Sequence, residues 1–284
     1  MSDFLRIFAL CQIFASVPVF ADKIALLVID VQNCFLPTGN LPVADGDHVI
    51  PVINDIRRKY DNLFSLVVFS QDWHCVDHVS FASQHSGKAP YNTVILQYNN
   101  EGMLCDPTSQ CDVEYNITQV LWPDHCIKNT TTAEFASNIT KKNSDFIVKK
   151  GYHCKIDSYS AFFDNGGFSH TQLDRKLKEN KISTVIVTGL ALDYCVFYTA
   201  KDAKKLGYNV YVVEDATRGV ANSTSNGAVK DMNNRGIHII QSDQLEDIMD
   251  KLTSLGNILQ GLNCFWYIVN FVITVDLVHS LASL

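Results

Sequence analysis

The sequence has no block of basic residues, no internal repeat and no second region of distinct composition. Lys and Arg number 23 against 30 Asp and Glu, and the net charge is −7. Nucleic-acid binding needs clustered positive charge, so no nucleic-acid partner is expected. The 284 residues, 47% of them hydrophobic, suit one sizeable domain or two small ones, with extra apolar segments at the ends.

Apolar runs alternate with helical patterns along most of the chain. Several of the runs are apolar on both faces, as in a parallel sheet covered by helices. Six strands are predicted, at residues 23–30, 63–69, 145–151, 185–188, 208–215 and 237–240. Helices are predicted at residues 47–60, 169–181, 195–205, 223–235 and 245–255. The alternation predicts one doubly wound α/β domain over residues 22–255.

One long stretch interrupts this alternation. Residues 79–143 are irregular and rich in Ser, Thr, Asn and Cys. So long an irregular segment in a compact domain is usually functional. We therefore expect an insertion or lid at about residues 72–143.

The first 21 residues have the layout of a secretory signal peptide. Arg6 gives a short basic start, residues 8–20 are largely apolar, and Val19-Phe20-Ala21 is a small-x-small cleavage site. The segment is short for a membrane span. The alternative is a buried first helix of the fold.

Glycosylation sequons and cysteines also favour export. Four N-x-S/T sequons begin at Asn116, Asn129, Asn138 and Asn222. The nine cysteines suit an oxidising compartment. Cys105 and Cys111 could close a small loop, whereas the other pairings cannot be deduced. A secreted or cell-surface glycoprotein is predicted.

The chain ends in a hydrophobic tail, residues 256–284. Small residues (Ser254, Gly256 and Asn257) precede the apolar run that starts at Cys264. This layout is typical of a GPI-attachment signal, which would attach the protein to a membrane. Three polar residues inside the run weaken the match, and a terminal strand or helix packed on the domain is the alternative.

The stretch from Val185 to Val196 is the strongest indication of chemistry. A strand reaches Gly189, a short turn follows, and Cys195 opens a predicted helix. The positive end of a helix dipole stabilises a thiolate and a developing oxyanion. Cys195 is therefore a candidate nucleophile, and the alternative is a buried structural cysteine.

Other polar residues stand at the ends of predicted strands. Asp30 follows the first strand, and Lys149 and Lys150 end the third. With Cys195 they would supply a proton acceptor, a cation and a thiol at one edge of the sheet. Each could also be an ordinary surface or turn residue.

A second constellation has the spacing of metal ligands. Asp72 and His74 are alternate residues of an extended segment and point to the same side, and His125 from the insertion can complete the set. Mixed carboxylate and imidazole ligands suit Zn(II), Fe(II) or Mn(II). His78 is a further ligand candidate or an ordinary polar residue.

Taken together, the motifs resemble those of the nicotinamidases, within the isochorismatase-like cysteine hydrolases. The matching segments are residues 29–33 (IDVQN), 72–74 (DWH), 78–81 (HVSF), 122–126 (WPDHC), 150–151 (KG), 157–162 (DSYSAF) and 189–196 (GLALDYCV). They occur in the family's order over most of the chain. The one departure near the base is Cys34, where an Asp often follows the Asn.

The resemblance implies a three-layer α/β/α fold and a catalytic triad. Asp30 would be the general base, Lys150 the triad lysine and Cys195 the nucleophile. The backbone N–H groups of Ala191 and Cys195 would form the oxyanion hole, and the peptide between Leu190 and Ala191 would be cis. A homo-oligomer is left open.

The resemblance also implies one divalent metal that binds the pyridine nitrogen of nicotinamide, with Zn(II) expected first and Fe(II) or Mn(II) as alternatives. Asp72, His74 and His125 would be its ligands, with His78 ligating or water-linked. The predicted pocket residues are Phe35, Trp122, Leu190, Ala191 and Tyr194.

The expected activity is hydrolysis of nicotinamide to nicotinate and ammonia, in NAD salvage or catabolism. Two alternatives compete with it. One is a hydrolase of a different small amide, and the other is a catalytically dead, glycosylated binding protein. The complete metal set favours a nicotinamidase, because isochorismatases lack it.

Overall fold

The computed structural model describes residues 23–105 and 111–254. The predicted leader and the predicted tail lie outside the described residues, so both stay predictions. Residues 23–245 form one compact unit. Among the described residues, no helix is long and apolar enough to cross a bilayer.

Six parallel strands form the central sheet. The strands of the chain are β1 (Lys23–Ile29), β2 (Phe64–Asp72), β3 (Thr93–Tyr98), β4 (Tyr115–Val120), β5 (Phe146–Lys150), β6 (Ile182–Leu190), β7 (Asn209–Arg218) and β8 (His238–Ile240). The order in the sheet is β5-β2-β1-β6-β7-β8, and every neighbouring pair is parallel. The predicted doubly wound sheet is confirmed.

Helices of this unit cover the sheet. They are α1 (Val49–Tyr60), α2 (Leu173–Glu179), α3 (Phe197–Lys205) and α4 (Asn222–Asn234). A further helix, α5, spans residues 245–254. Adjacent residues of a strand point to opposite faces. Leu26 and Leu27 of β1 are both fully buried, so both faces of the sheet are covered.

The sequence prediction placed the starts of α2 and α3 too early. Helix α2 begins at Leu173, four residues later than predicted, because the Thr171 backbone N–H donates to the Phe162 carbonyl and its hydroxyl donates to that of Ala161. Helix α3 begins at Phe197, and a short π-helical turn at Leu192–Val196 holds Cys195 instead.

The order of the strands gives the sheet a switch point between β1 and β6. From β1 the chain builds outward through β2 to β5, then returns to the other side of β1 and builds outward through β6, β7 and β8. The carboxyl ends of β1 and β6 therefore flank the topological switch point. Open parallel sheets hold their ligands at such a point.

The predicted insertion contains an antiparallel hairpin, β3 and β4, that the sequence did not predict. On β3, Leu96 and Tyr98 are buried while Ile95 is 67% exposed, and on β4 the polar Gln119 is 1% exposed. Asn116, expected in a loop, lies on β4. All four sequon asparagines are exposed.

Candidate active site

Four polar side chains meet at the carboxyl edge of four adjacent strands. Lys150 ends β5, Asp72 ends β2, Asp30 follows β1, and Cys195 lies in the π-helical turn that follows β6. All four are buried, with Asp30 and Lys150 fully inaccessible. The structure thus brings the three predicted triad residues together with one predicted metal ligand.

Tight backbone packing joins the ends of β1 and β6. Gly189 has a φ of +109°, and a Cβ there would lie 2.0 Å from the Ile29 carbonyl oxygen. Only glycine fits so close a backbone approach. The next peptide, between Leu190 and Ala191, is cis, as the resemblance implies.

Lys150 is the centre of the cluster. Its ammonium lies 2.8 Å from Asp30 Oδ2, and it donates to Asp72 Oδ1, to the Ser158 carbonyl at 3.0 Å and to Cys195 Sγ at 3.3 Å. Oxygen atoms of the two carboxylates and the Cys195 sulfur all lie within 4.8 Å of one another. One cation therefore bridges two anions and the thiol.

The charges of this cluster set its protonation. Burial lowers the pKa of Lys150, but Asp30 and Asp72 outweigh it and hold the pKa well above its usual range. Burial raises the pKa of Cys195 well above its usual range, and Lys150 offsets only part of that rise. Cys195 therefore rests as a thiol and needs a base to become a nucleophile.

Ser70 orients the candidate base, a contact that sequence reasoning missed. Its hydroxyl donates to Asp30 Oδ1 at 2.6 Å and accepts the Asp30 backbone N–H at 3.1 Å. Asp30 Oδ2 is left to face Lys150. Burial raises the pKa of Asp30, against the opposing effect of Lys150.

A metal-ligand set adjoins the cluster. His74 Nε2 lies 3.4 Å and His125 Nε2 lies 3.9 Å from Asp72 Oδ2. Each histidine directs its other ring nitrogen at a backbone carbonyl, since His74 Nδ1 is 2.9 Å from the Gly151 oxygen and His125 Nδ1 is 2.8 Å from that of Pro123. Carbonyls only accept, so both Nδ1 atoms carry the proton.

Burial lowers the pKa of His74, but Asp72 outweighs it and holds the pKa above its usual range, so a metal that binds Nε2 would displace a proton there. With both rings neutral, two Nε2 lone pairs would face the carboxylate, and a divalent cation would satisfy the three acceptors at once. The donor set of Asp72, His74 and His125 therefore fits a divalent metal. Gly151 leaves room for the His74 ring, because a Cβ there would lie 2.5 Å from His74 Cε1. Burial lowers the pKa of His125 to about 3, which favours the neutral ligand form.

His78 lies beside this set. Its ring is 4.1 Å from that of His74, centre to centre, and its Nδ1 is 2.7 Å from Ser80 Oγ. Its buried Nε2 has no hydrogen-bond partner among the residues that the structure describes, and burial lowers the pKa of the ring well below its usual range. A neutral His78 can accept a bond from a metal-bound water or ligate directly, as the sequence left open.

A small cavity of about 30 Å³ joins the two clusters. Its wall includes the predicted residues Phe35, Trp122, Ala191 and Tyr194, and also residues that were not predicted to line it, namely Leu41, Val43, Asp157, Tyr159 and Val220. The wall is largely aromatic and apolar, with a few polar side chains, as in pockets for small molecules. The site therefore suits a small, flat ligand.

Leu190, predicted in this pocket, does not line the cavity. It ends β6 fully buried, and its Cδ1 packs beside Gly46. Tyr159 takes its place in the wall, with a hydroxyl that accepts bonds from Gln119 Nε2 and Trp122 Nε1. Residues 157–162 belong to the motifs of the resemblance, and this was the available signal for Asp157 and Tyr159.

Comparison with known proteins decides the family. The isochorismatase domain matches residues 24–244. The nicotinamidase of Acinetobacter baylyi is 40% identical over 223 residues, which is 78% of this chain and 94% of that protein. The chain belongs to the isochorismatase family. It is a hydrolase of that family, as predicted.

Solved structures within this family agree. The yeast nicotinamidase bound to the inhibitor nicotinaldehyde superposes with a TM-score of 0.69 at 31% identity, over 77% of this chain and all of that one. The pyrazinamidase of Pyrococcus horikoshii in complex with zinc gives a TM-score of 0.60 at 32% identity, over 77% of this chain and 99% of that one. Its zinc and the donor set here both point to a divalent metal.

Three disulfides accompany this isochorismatase-family site. We call Cys34–Cys126 the His125-side disulfide, Cys75–Cys154 the His74-side disulfide, and Cys105–Cys111 the hairpin disulfide. The sequence suggested only the last of them. Among the described residues, Cys195 is the one cysteine outside a disulfide.

Proposed function

We propose that this protein is a nicotinamide amidohydrolase, which converts nicotinamide to nicotinate and ammonia. The observation that carries the proposal is the shared cavity: Cys195, whose sulfur contacts Lys150 and through it adjoins Asp30, opens on the same small aromatic pocket as the metal-ligand set. The named activity of relatives up to 40% identical supports the same substrate.

Acylation begins with the resting thiol. Asp30 accepts the Cys195 proton as sulfur forms a bond to the carboxamide carbon. The N–H groups of Ala191 and Cys195, predicted as the oxyanion hole, stabilise the negative oxygen, and Lys150 balances the charge beside the sulfur. The protonated Asp30 then gives its proton to the leaving nitrogen, the C–N bond breaks, and ammonia departs from a thioester.

Deacylation reverses these roles. Asp30 takes a proton from a water molecule as the water oxygen attacks the thioester carbon. The C–S bond then breaks, nicotinate forms, and the proton returns to Cys195. Ser70 keeps Asp30 in one orientation through both halves, because its hydrogen bond fixes the oxygen that does not face Lys150.

Asp72, His74 and His125 would hold the divalent metal, with Zn(II) as our first choice and Fe(II) or Mn(II) as alternatives. The metal would supply a Lewis-acid site for the pyridine nitrogen of the substrate. The aromatic side chains Phe35, Trp122 and Tyr194 would then hold the ring flat and exclude water, so that the carboxamide faces Cys195.

Ammonia release from purified protein over a panel of amides tests this proposal. Nicotinamide should be hydrolysed best, and benzamide, which has the same shape without the ring nitrogen, should lose most of the rate. Equal rates on the two would contradict the role of the metal. A strong preference for an aliphatic amide would indicate a different small-amide hydrolase.

For location, we propose that the protein is exported, loses its leader near Ala21 and carries N-glycans at its four sequons. Exposure of the four asparagines and three disulfides among the described residues support this. Expression of the full chain in a eukaryotic cell, followed by N-glycosidase treatment, should shift its mobility. A cytosolic, unshifted protein that keeps Met1 or Ser2 would overturn the proposal.

If the C-terminal tail is a GPI signal, phosphatidylinositol-specific phospholipase should free the protein from cells. If the tail instead packs on the domain, the protein should be found in the medium with its tail intact. The physiological role we propose is NAD salvage or catabolism, which depends on the substrate assay above.

A further inference from the structure

Two of the three disulfides each contain a cysteine that directly follows a proposed metal ligand in the chain. His74 is followed by Cys75, and His125 is followed by Cys126. Both cysteines are buried and bonded, Cys75 in the His74-side disulfide and Cys126 in the His125-side disulfide. Each disulfide therefore fixes the main chain one residue away from a ligand.

The far end of each disulfide lies in a segment that also contacts the same ligand. Cys154 follows the turn at Gly151, whose carbonyl accepts the His74 Nδ1 proton. Cys34 precedes Phe35, whose ring centre lies 5.6 Å from that of His125. Each disulfide thus joins the segment of a ligand to a second segment that contacts the imidazole ring of that ligand.

Little regular structure holds these ligand segments otherwise. His74 and Ile127 form an isolated bridge, in which the His74 N–H donates to the Cys126 carbonyl at 3.1 Å and the Lys128 N–H donates to the His74 carbonyl at 2.9 Å. The bridge joins the two ligand segments to each other. The disulfides then connect its two sides to the segments near Phe35 and Gly151.

We propose that the His74-side and His125-side disulfides are positioning elements of the metal site, which hold His74 and His125 in place for the metal. The inference rests on the proposed metal site and adds to it a dependence on oxidation. Groups that orient metal ligands typically change metal affinity about 10- to 100-fold when they are removed. We expect an effect of that size here.

The hairpin disulfide is a matched control. It joins Cys105 and Cys111 in the connection between β3 and β4, and neither cysteine neighbours a metal ligand in the chain. A disulfide that only stabilises the fold should affect unfolding without altering the zinc affinity of the folded protein. The comparison of the three disulfides therefore separates positioning from general stabilisation.

The experiment uses three paired variants of the full chain, expressed where disulfides form. They are Cys34→Ala with Cys126→Ala, Cys75→Ala with Cys154→Ala, and Cys105→Ala with Cys111→Ala. The zinc dissociation constant of each folded variant is measured by competition with a chromophoric chelator, beside circular dichroism. We expect zinc to bind at least about tenfold more weakly in the first two pairs, and within about twofold of wild type in the third.

Zinc affinity equal to wild type in both ligand-side pairs would overturn the inference, as would an equal loss in the hairpin pair. If wild type itself bound no zinc, the inference would fail with the proposed metal site, and the ammonia assay would judge the catalytic proposal separately. If wild type binds zinc and hydrolyses nicotinamide while the variants keep full affinity, only the inference fails.

A second measurement covers variants that do not fold. Wild-type zinc-loaded protein is treated with a water-soluble phosphine, which is oxidised to its oxide as each disulfide takes up two electrons and two protons. Alkylation and mass spectrometry identify which disulfides have opened. Zinc release should follow opening of either ligand-side disulfide, and release that follows only the hairpin disulfide, or none, would contradict the inference.

Discussion

Replacement of Lys150 by Met gives the sharpest test of the buried charge cluster. The side chain keeps its length and loses its cation, so Asp30 and Asp72 remain buried with oxygens within 4.8 Å of each other. Their repulsion at an effective dielectric of about 20 is roughly 3 kcal/mol. Breaking a buried pair typically costs about 3–5 kcal/mol, or roughly 10 °C in the unfolding temperature of a protein this large.

The loss should depend on pH in a defined direction. Burial already raises the pKa of Asp30, and loss of the ammonium raises it further. A carboxyl whose pKa is raised in the folded state contributes its full stability below the unfolded pKa of about 3.9. That contribution is lost as pH rises through the folded-state pKa. The destabilisation by Lys150→Met should therefore grow from pH 5 to pH 8.

A second substitution serves as the control. In the double variant Asp30→Asn with Lys150→Met only Asp72 remains of the two carboxylates that Lys150 bridged, so part of the lost stability should return, by about 1–3 kcal/mol of coupling. Activity should be absent from both variants. Unfolding temperatures are measured by circular dichroism in the presence of a chelator, so that no metal offsets the charge. A single variant within about 1 °C of wild type, or a double variant no more stable than the single, would refute the reasoning.

Three further predictions concern the chemistry. Cys195→Ala should leave the fold intact and lower kcat for nicotinamide by several orders of magnitude, and residual activity within tenfold of wild type would exclude a covalent mechanism. Because burial raises the Cys195 pKa, its alkylation by iodoacetamide should keep rising with pH up to 9.5, whereas a plateau below pH 8 would indicate a resting thiolate. Ser70→Ala should lower kcat about 10- to 100-fold with little change in KM. Ser70→Thr keeps the hydroxyl and should recover most of the lost kcat. Equal rates for the two variants would show that Ser70 does not orient Asp30.

It could be predicted that the side chains of the site meet, because the position of a residue at the end of a parallel strand indicates the edge of the sheet at which it lies. Asp30, Asp72 and Lys150 each end or follow a strand, and the carboxyl ends of parallel strands meet at one edge. A strand running into Gly189 and then Cys195 marked the fourth position. Only the strand order, with β6 beside β1, had to come from the structure or from the family's motifs.

The parts that could not be predicted depend on contacts between segments distant in the chain. Ser70 is one of several serines, and only its position opposite Asp30, forty residues away, gives it a role. The β3–β4 hairpin escaped prediction because burial at some of its positions does not follow hydrophobicity. Gln119 is buried because its amide donates to Asp157 and Tyr159, while Ile95 faces outward.

Of the three cysteine pairings among the described residues, the sequence suggested the hairpin disulfide and did not suggest the other two. The eight cysteines that remain after the predicted leader removes Cys11 allow 105 complete pairings, and no local pattern distinguishes the ligand-side disulfides. The structure shows which cysteines lie close enough to pair. The pairing leaves Cys195, the proposed nucleophile, outside a disulfide. Thiol–disulfide exchange needs contact between a thiolate and a disulfide sulfur. Cys195 is buried, its pKa is raised, and its sulfur faces Lys150, while all the other described cysteines are already paired. If the protein is exported as we propose, a nucleophile held in this way can stay reduced in an oxidising compartment.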